Sequence, residues 1–208
     1  MRIPRFVIAL LLVFATATGC SLLANDEAPE NKPPEMNMQQ GAGKADAITQ
    51  QTLSSIKPVL RWTHGPSSDS DCTDFKSDPL GTGSVTRRIR IMTIVSTERR
   101  GSLLGIVERN WKAQGYKITS INADEDFPAI YASTPEDFRM SVSVGGEGQF
   151  EFDIATPCFT DSPVADPTAE PNTPPYEGGK PIPRPNIRDD FWSALTPIPA
   201  NSTASPTP

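Results

Sequence analysis

The sequence predicts an α+β fold, a two-layer sandwich in which two helices pack on one face of a mostly antiparallel sheet. Three observations lead there. Phe138, Met140, Val142 and Val144 alternate with Arg139, Ser141 and Ser143, and Phe150, Phe152 and Ile154 alternate with Glu151 and Asp153. Between these runs Gly145-Gly146-Glu147-Gly148 supplies the positive φ angles of a hairpin turn, so each strand has one apolar and one polar face. Leu103, Val107 and Trp111 recur at four-residue spacing, with Leu104 widening the stripe of an amphipathic helix. The element order, helix, two strands, helix and then three or four strands, leaves the helices one sheet face to cover.

In chain order, Asp46 reads as the N-cap of a weakly amphipathic helix through Ile48, Leu53 and Ile56 that Pro58 should end. Val59 to Thr63 reads as a short strand, and Gly65 to Gly83 as a long polar loop. Thr86 to Val95 sets Arg88 and Arg90 against Ile89, Ile91 and Val95, the alternation of a half-buried strand. The clearest helix runs from Arg100 to Gln114, with Gly115 where a left-handed C-cap is wanted. Strands follow at Tyr116–Asn122, Ala129–Ser133, Phe138–Val144 and Gln149–Ala155.

The chain has 208 residues, 37% hydrophobic, with 22 prolines and a net charge of −6. That is core material for one modest domain, and it offers no basic footprint for nucleic acid. Residues 1–19 run from Arg2 and Arg5 through the apolar Phe6 to Phe14 to small residues, the order of a secretory signal. The apolar run is shorter than the roughly 20 residues that a membrane-spanning helix needs. Residues 20–45 are polar and lack apolar periodicity, which predicts a flexible tether; residues 46–158 are the folded domain. Residues 159–208 hold twelve of the prolines and predict an extended, largely disordered tail.

Ala17-Thr18-Gly19-Cys20 resembles the lipobox of bacterial lipoproteins, with Ala17 where leucine is usual. The resemblance implies that Cys20 is lipidated and becomes the first residue of the mature chain, held on the outer face of the cell membrane. Further along, Arg100-Gly101-Ser102-Leu103-Leu104 through Trp111, Gly115-Tyr116 and Thr156-Pro157-Cys158 resemble small secreted lipoproteins of high-GC Gram-positive bacteria. Spanning Trp62 to Cys158, this resemblance implies a fold and a surface location, and no activity. With Cys20 lipidated, Cys72 and Cys158 remain as an even pair in an oxidising setting; a disulfide is expected, two buried thiols being the alternative.

Candidate chemistry is sparse. Ser54 and Lys57 have a Ser-x-x-Lys spacing, without the further elements that penicillin-binding enzymes need. Asp69, Asp71, Asp74 and Asp78 gather carboxylates, yet Asp74 and Leu80 fall where an EF-hand loop needs glycine and glutamate, so no metal is expected. Asp124, Glu125 and Asp126 form a second acidic group. His64 lacks a nucleophile to serve, and Gly81-Thr82-Gly83 lacks the third glycine of a dinucleotide fingerprint. Arg87, Arg88, Arg90, Arg99 and Arg100 make a local basic cluster that could attract anionic polymer or headgroups. In the tail, Phe191, Trp192 and Leu195 predict a docking segment, on this domain or on a partner. The expectation is a lipid-anchored envelope protein whose non-enzymatic domain binds or scaffolds an envelope protein or polymer, without cofactor or nucleic acid. Two alternatives stay open: an envelope hydrolase using the carboxylates of residues 69–78, and a plain surface spacer.

Overall fold

The computed structural model describes residues 36–174 and 183–196. The element order is α1 (Met38–Ser54), β1 (Trp62–His64), β2 (Ser68–Thr73), β3 (Pro79–Ile91), α2 (Thr97–Ala113), β4 (Lys117–Asn122), β5 (Ala129–Ser133), β6 (Arg139–Val144), β7 (Phe150–Ala155) and β8 (Phe159–Thr160). It is an α+β fold with two helices and one antiparallel sheet in the order β1-β3-β7-β6-β5-β4, while β2 and β8 also pair with β3. Along β3 and β7 the cross-strand pairs Ile89 with Phe152 and Ile91 with Phe150 face the helices. Arg88 opposite Asp153 and Arg90 opposite Glu151 lie on the other face. Trp111 of α2 donates its indole N–H to Thr52 Oγ1 of α1 at 3.0 Å, tying the helices together inside the core.

The chain orders earlier than residue 46. Asn37 caps α1: its Oδ1 accepts the Gln40 amide at 2.9 Å, and Gln40 Oε1 accepts the Asn37 amide at 3.0 Å. The tether assigned to residues 20–45 therefore ends before Met38, and Asp46 lies inside the helix. Small side chains explain the difference. Gly41, Ala42 and Ala45 form the buried stripe of this half-helix, and a Cβ on Gly41 would overlap the Phe159 ring. They bury by close approach rather than by bulk, so they leave no large-apolar periodicity to read.

The polar loop expected over Gly65 to Gly83 is instead the β2–β3 hairpin, and β3 is 13 residues long. Cys72 of β2 is disulfide-bonded to Cys158, 86 residues on, just before β8. This bond joins β2 to the connection between β7 and β8, the strands that pair along the opposite side of β3.

The tail assigned to residues 159–208 likewise contributes structure. Phe159 and Thr160 form β8, and the chain then crosses α1, β3 and β1. Gln39 Oε1 accepts the Ala165 amide at 2.6 Å, Arg87 Nη2 donates to the Ala165 carbonyl at 2.7 Å, and His64 Nε2 meets the Ala169 carbonyl at 2.7 Å. Asn172 accepts the Trp62 amide and donates to the Leu60 carbonyl. Proline removes amide donors, so such a strap needs few partners, and the side chains beneath it supply them.

A second tail segment closes the end of the sheet. Asn186 and Ile187 donate their amides to the Met92 carbonyl, and the Ile94 amide donates to the Ile187 carbonyl at 2.8 Å. Trp192 is fully buried and donates its indole N–H to the Pro58 carbonyl at 2.8 Å. Phe191 packs edge-on against it, and the Arg99 guanidinium lies 4.9 Å from the Phe191 ring centre. Leu195 is 74% exposed and takes no part in this packing, so the buried docking residue is Trp192, with Phe191 beside it.

Two stability measurements follow. Replacing both bonded cysteines, Cys72→Ser with Cys158→Ser, is expected to lower unfolding free energy by about 2–5 kcal/mol through the opened loop, read as a lower urea midpoint. Trp192→Ala is expected to cost about 3–5 kcal/mol through the cavity left, read in the same way; a loss under 1 kcal/mol would mean that the segment is not packed.

Candidate functional site

The same side chains that dock α2 create a cleft beside it. Leu103, Val107 and Trp111 point into the sheet and are fully buried, which turns the neighbouring row, Gly101, Leu104, Gly105 and Glu108, toward the end of β4. On the strand side a β-bulge decides the geometry. Pairing slips between Ile118 and Ser120, so Ile118 opposes Ala132 and Ile121 opposes Ile130, both on the helix face despite their odd spacing. Ile121 thus reaches the cleft and remains 55% exposed.

The cleft has a volume of about 600 Å³. Leu104, Ile121 and Ile130 give it an apolar floor, and Glu98, Glu108, Asp124 and Glu125 stand around it with Arg100. The β4–β5 turn that forms its far wall is held by Asp124, whose Oδ1 accepts the Asp126 and Phe127 amides at 2.9 and 2.8 Å. Arg100 Nη1 donates to the Asp126 carbonyl at 2.8 Å and so joins helix to hairpin. Glu108 is paired with Lys112 at 2.6 Å, one helical turn on. Glu98 and Glu125 have no ion-pair or hydrogen-bond partner among the described residues.

Gly101 and Gly105 are unusual in a helix interior, where each costs about 1 kcal/mol relative to alanine. Neither has a positive φ, a Cβ on Gly101 would stand in open space, and one on Gly105 would meet only the flexible end of Arg109. Helix packing therefore does not require them. Their effect is to keep the helical wall of the cleft open.

The residues singled out by sequence pattern are dispersed. Cys20 lies outside the described residues. Asp69 and Asp71 are exposed on β2, and Asp74 closes the β2–β3 turn by accepting the Lys76 and Asp78 amides; none of them, nor Asp78, lines the cleft. Among the described residues no group of three or more histidine, cysteine or carboxylate side chains is arranged to hold a metal. Ser54 donates to the Gln51 carbonyl at the last helical position, and Lys57 falls beyond the helix end. Gly81-Thr82-Gly83 belongs to β3, where Thr82 and Gly83 pair with β8.

The basic cluster is divided between environments. Arg87 is buried, with Nε 3.2 Å from Asp46 Oδ1, an ion pair whose angle falls short of a hydrogen bond. Burial raises the Asp46 carboxyl above its ordinary range, while Arg87 and His64 pull it partly back. Arg88 and Arg90 pair with Asp153 and Glu151 on the outer sheet face, Arg99 holds the Phe191 carbonyl, and Arg100 braces the cleft. Adjacent positions in a strand face opposite ways, so proximity in sequence does not gather these charges. Asp124 and Glu125 lie on the cleft. Leu104 reads in sequence as part of the core stripe; its place in the cleft, with Ile121, emerges only from the fold. The available signal was the glycine pair at 101 and 105.

No protein-family model matches the chain, and no curated protein matches it. A solved structure of a DUF4853 family protein from the actinomycete Actinomyces odontolyticus superposes with a TM-score of 0.42 at 14% identity, over 64% of this chain and 75% of that one. At that level the likeness is distant.

The glycine argument is directly measurable. Gly101→Ala is expected to stabilise the domain by about 1 kcal/mol, since it adds helix propensity and meets nothing. A destabilised variant, by urea unfolding, would show that the wall needs glycine for packing.

Proposed function

We propose that the protein is a lipid-anchored component of the cell envelope, held by Cys20 on the outer face of the membrane, and that its α+β domain is a non-enzymatic binding module. The cleft between α2 and the β4–β5 hairpin is the observation that carries the second half. It combines an apolar floor, on which Ile121 is exposed, with a charged rim, the composition of a site that takes a partly apolar ligand and orients it by charge. Two of its four carboxylates are already engaged, Glu108 by Lys112 and Asp124 by the amides of its own turn, which supports a rim that orients a ligand by charge. The anchor rests on the order of cations, apolar run, small residues and Cys20 in the sequence. The Cys72–Cys158 bond supports an exported setting and leaves Cys20 as the remaining cysteine of three.

The two halves are tested separately. Cys20→Ala should leave the protein unprocessed or release it to the medium; normal processing with retention on membranes in high salt would overturn the anchor. For the cleft, the neutral dye Nile red should brighten with the full chain. The rise should be lost in Gly101→Trp and Leu104→Glu, which fill or charge the site, and kept in Gly101→Ala. An unchanged response in both blocked variants would overturn the binding reading.

A further inference from the structure

The two edges of the sheet are treated differently. At one edge, Asn172 of the tail strap takes the Trp62 amide of β1, while Asp69 and Asp71 place charges along β2. Charges and covering segments are the usual means of keeping an edge from pairing with another chain. At the other edge β4 pairs with β5 on one side, and among the described residues no strand lies on its other side. Its central residues Thr119, Ser120 and Ile121 are uncharged and exposed. Exposed apolar groups also gather here: Ile121 at 55%, Phe127 at 50% in the adjoining turn and Tyr131 at 42% on the outer face of β5.

The cleft opens beside this edge on the helix face. We propose that β4 takes an added strand from a partner polypeptide, an extended segment whose apolar side chain enters the cleft while basic side chains two positions to either side, on the same face, meet the acidic rim. This rests on the cleft being a binding site. An extended chain suits the place because its side chains alternate: those on one side reach Leu104 and Ile121, and those on the other meet Tyr131. Backbone pairing with β4 supplies affinity that a small molecule could not obtain there. Charge selects the partner. Four carboxylates face one guanidinium, the guanidinium is engaged with the Asp126 carbonyl, and Glu98 and Glu125 have no partner of their own among the described residues. The sequence of residues 197–208 carries no cation, so that segment lacks the charge for the role.

The probe is a capped pentapeptide, Lys-Thr-Ile-Thr-Lys, whose first, third and fifth side chains share one face, titrated into the 15N-labelled full chain. It should shift the Leu104 and Ile121 resonances and slow hydrogen exchange along β4. The same peptide N-methylated at alternate backbone positions should bind roughly ten-fold more weakly, because it loses the strand's donors without any change to the protein. A Glu-Thr-Ile-Thr-Glu peptide should also bind more weakly, and Glu98→Gln with Glu125→Gln should weaken the basic peptide roughly three- to ten-fold. Equal binding of the methylated or the acidic peptide overturns the proposal. So does protection of β4 that grows with protein concentration alone, which would make a second copy of this chain the occupant. Nile red binding without any peptide response overturns strand addition while the cleft stands; loss of both overturns both.

Discussion

A buried strand must have its amides and carbonyls paired on both sides, and β3, 13 residues long and covered from Thr82 onward, carries that requirement. It meets it with four partners: β1 and β2 in succession along one side, β7 and β8 along the other. Much of the remaining architecture serves those four contacts. The disulfide fixes β2 to the entry of β8, α1 covers the helix-facing side of the strand, and the strap over residues 161–173 seals β1. The half of the sheet farthest from β3, by contrast, ends at β4 without a cover, and that is where the cleft lies.

Arginine lets one strand serve two surfaces. Arg87 turns inward, where its guanidinium reaches Asp46, Ser67 and the Ala165 carbonyl, so a buried charge becomes the fastening point for α1, the strand and the strap. Arg88 and Arg90 turn outward to Asp153 and Glu151, cross-strand pairs that favour this register over a shifted one. A one-residue slip would bring Arg88 and Arg90 into the core.

Sequence reading succeeded where burial is done by bulk. The strands at 129–133, 139–144 and 150–155 and the stripe of Leu103, Val107 and Trp111 are written in large apolar side chains at the right period. It failed where burial is done by closeness or by pairing alone. Gly41, Ala42 and Ala45 bury a helix without a hydrophobic signature, and β2 consists of Ser, Asp, Cys and Thr held by backbone bonds to β3. The Cys72–Cys158 pair was legible from the compartment argument. The cleft was not, because strict alternation from Ile118 would put Ile121 on the outer face, and only the bulge between Ile118 and Ser120 returns it to the helix face.

The burial of Trp192 has a consequence for how the protein is made. The indole donates to the Pro58 carbonyl, the Trp192 carbonyl accepts the Ser96 amide and Ser193 donates to the Ile94 carbonyl, yet among the described residues Trp192 and Ser193 follow every helix and strand. A polypeptide delivered from its N-terminus can assemble the whole sheet and both helices and still carry an unfilled hollow beside Pro58 until residue 192 arrives. Products that stop short of that residue expose apolar surface and open more readily, which marks them for proteases that cleave partly opened chains. A chain ending before residue 192 would thus hold every described helix and strand yet lack the side chain that fills this site.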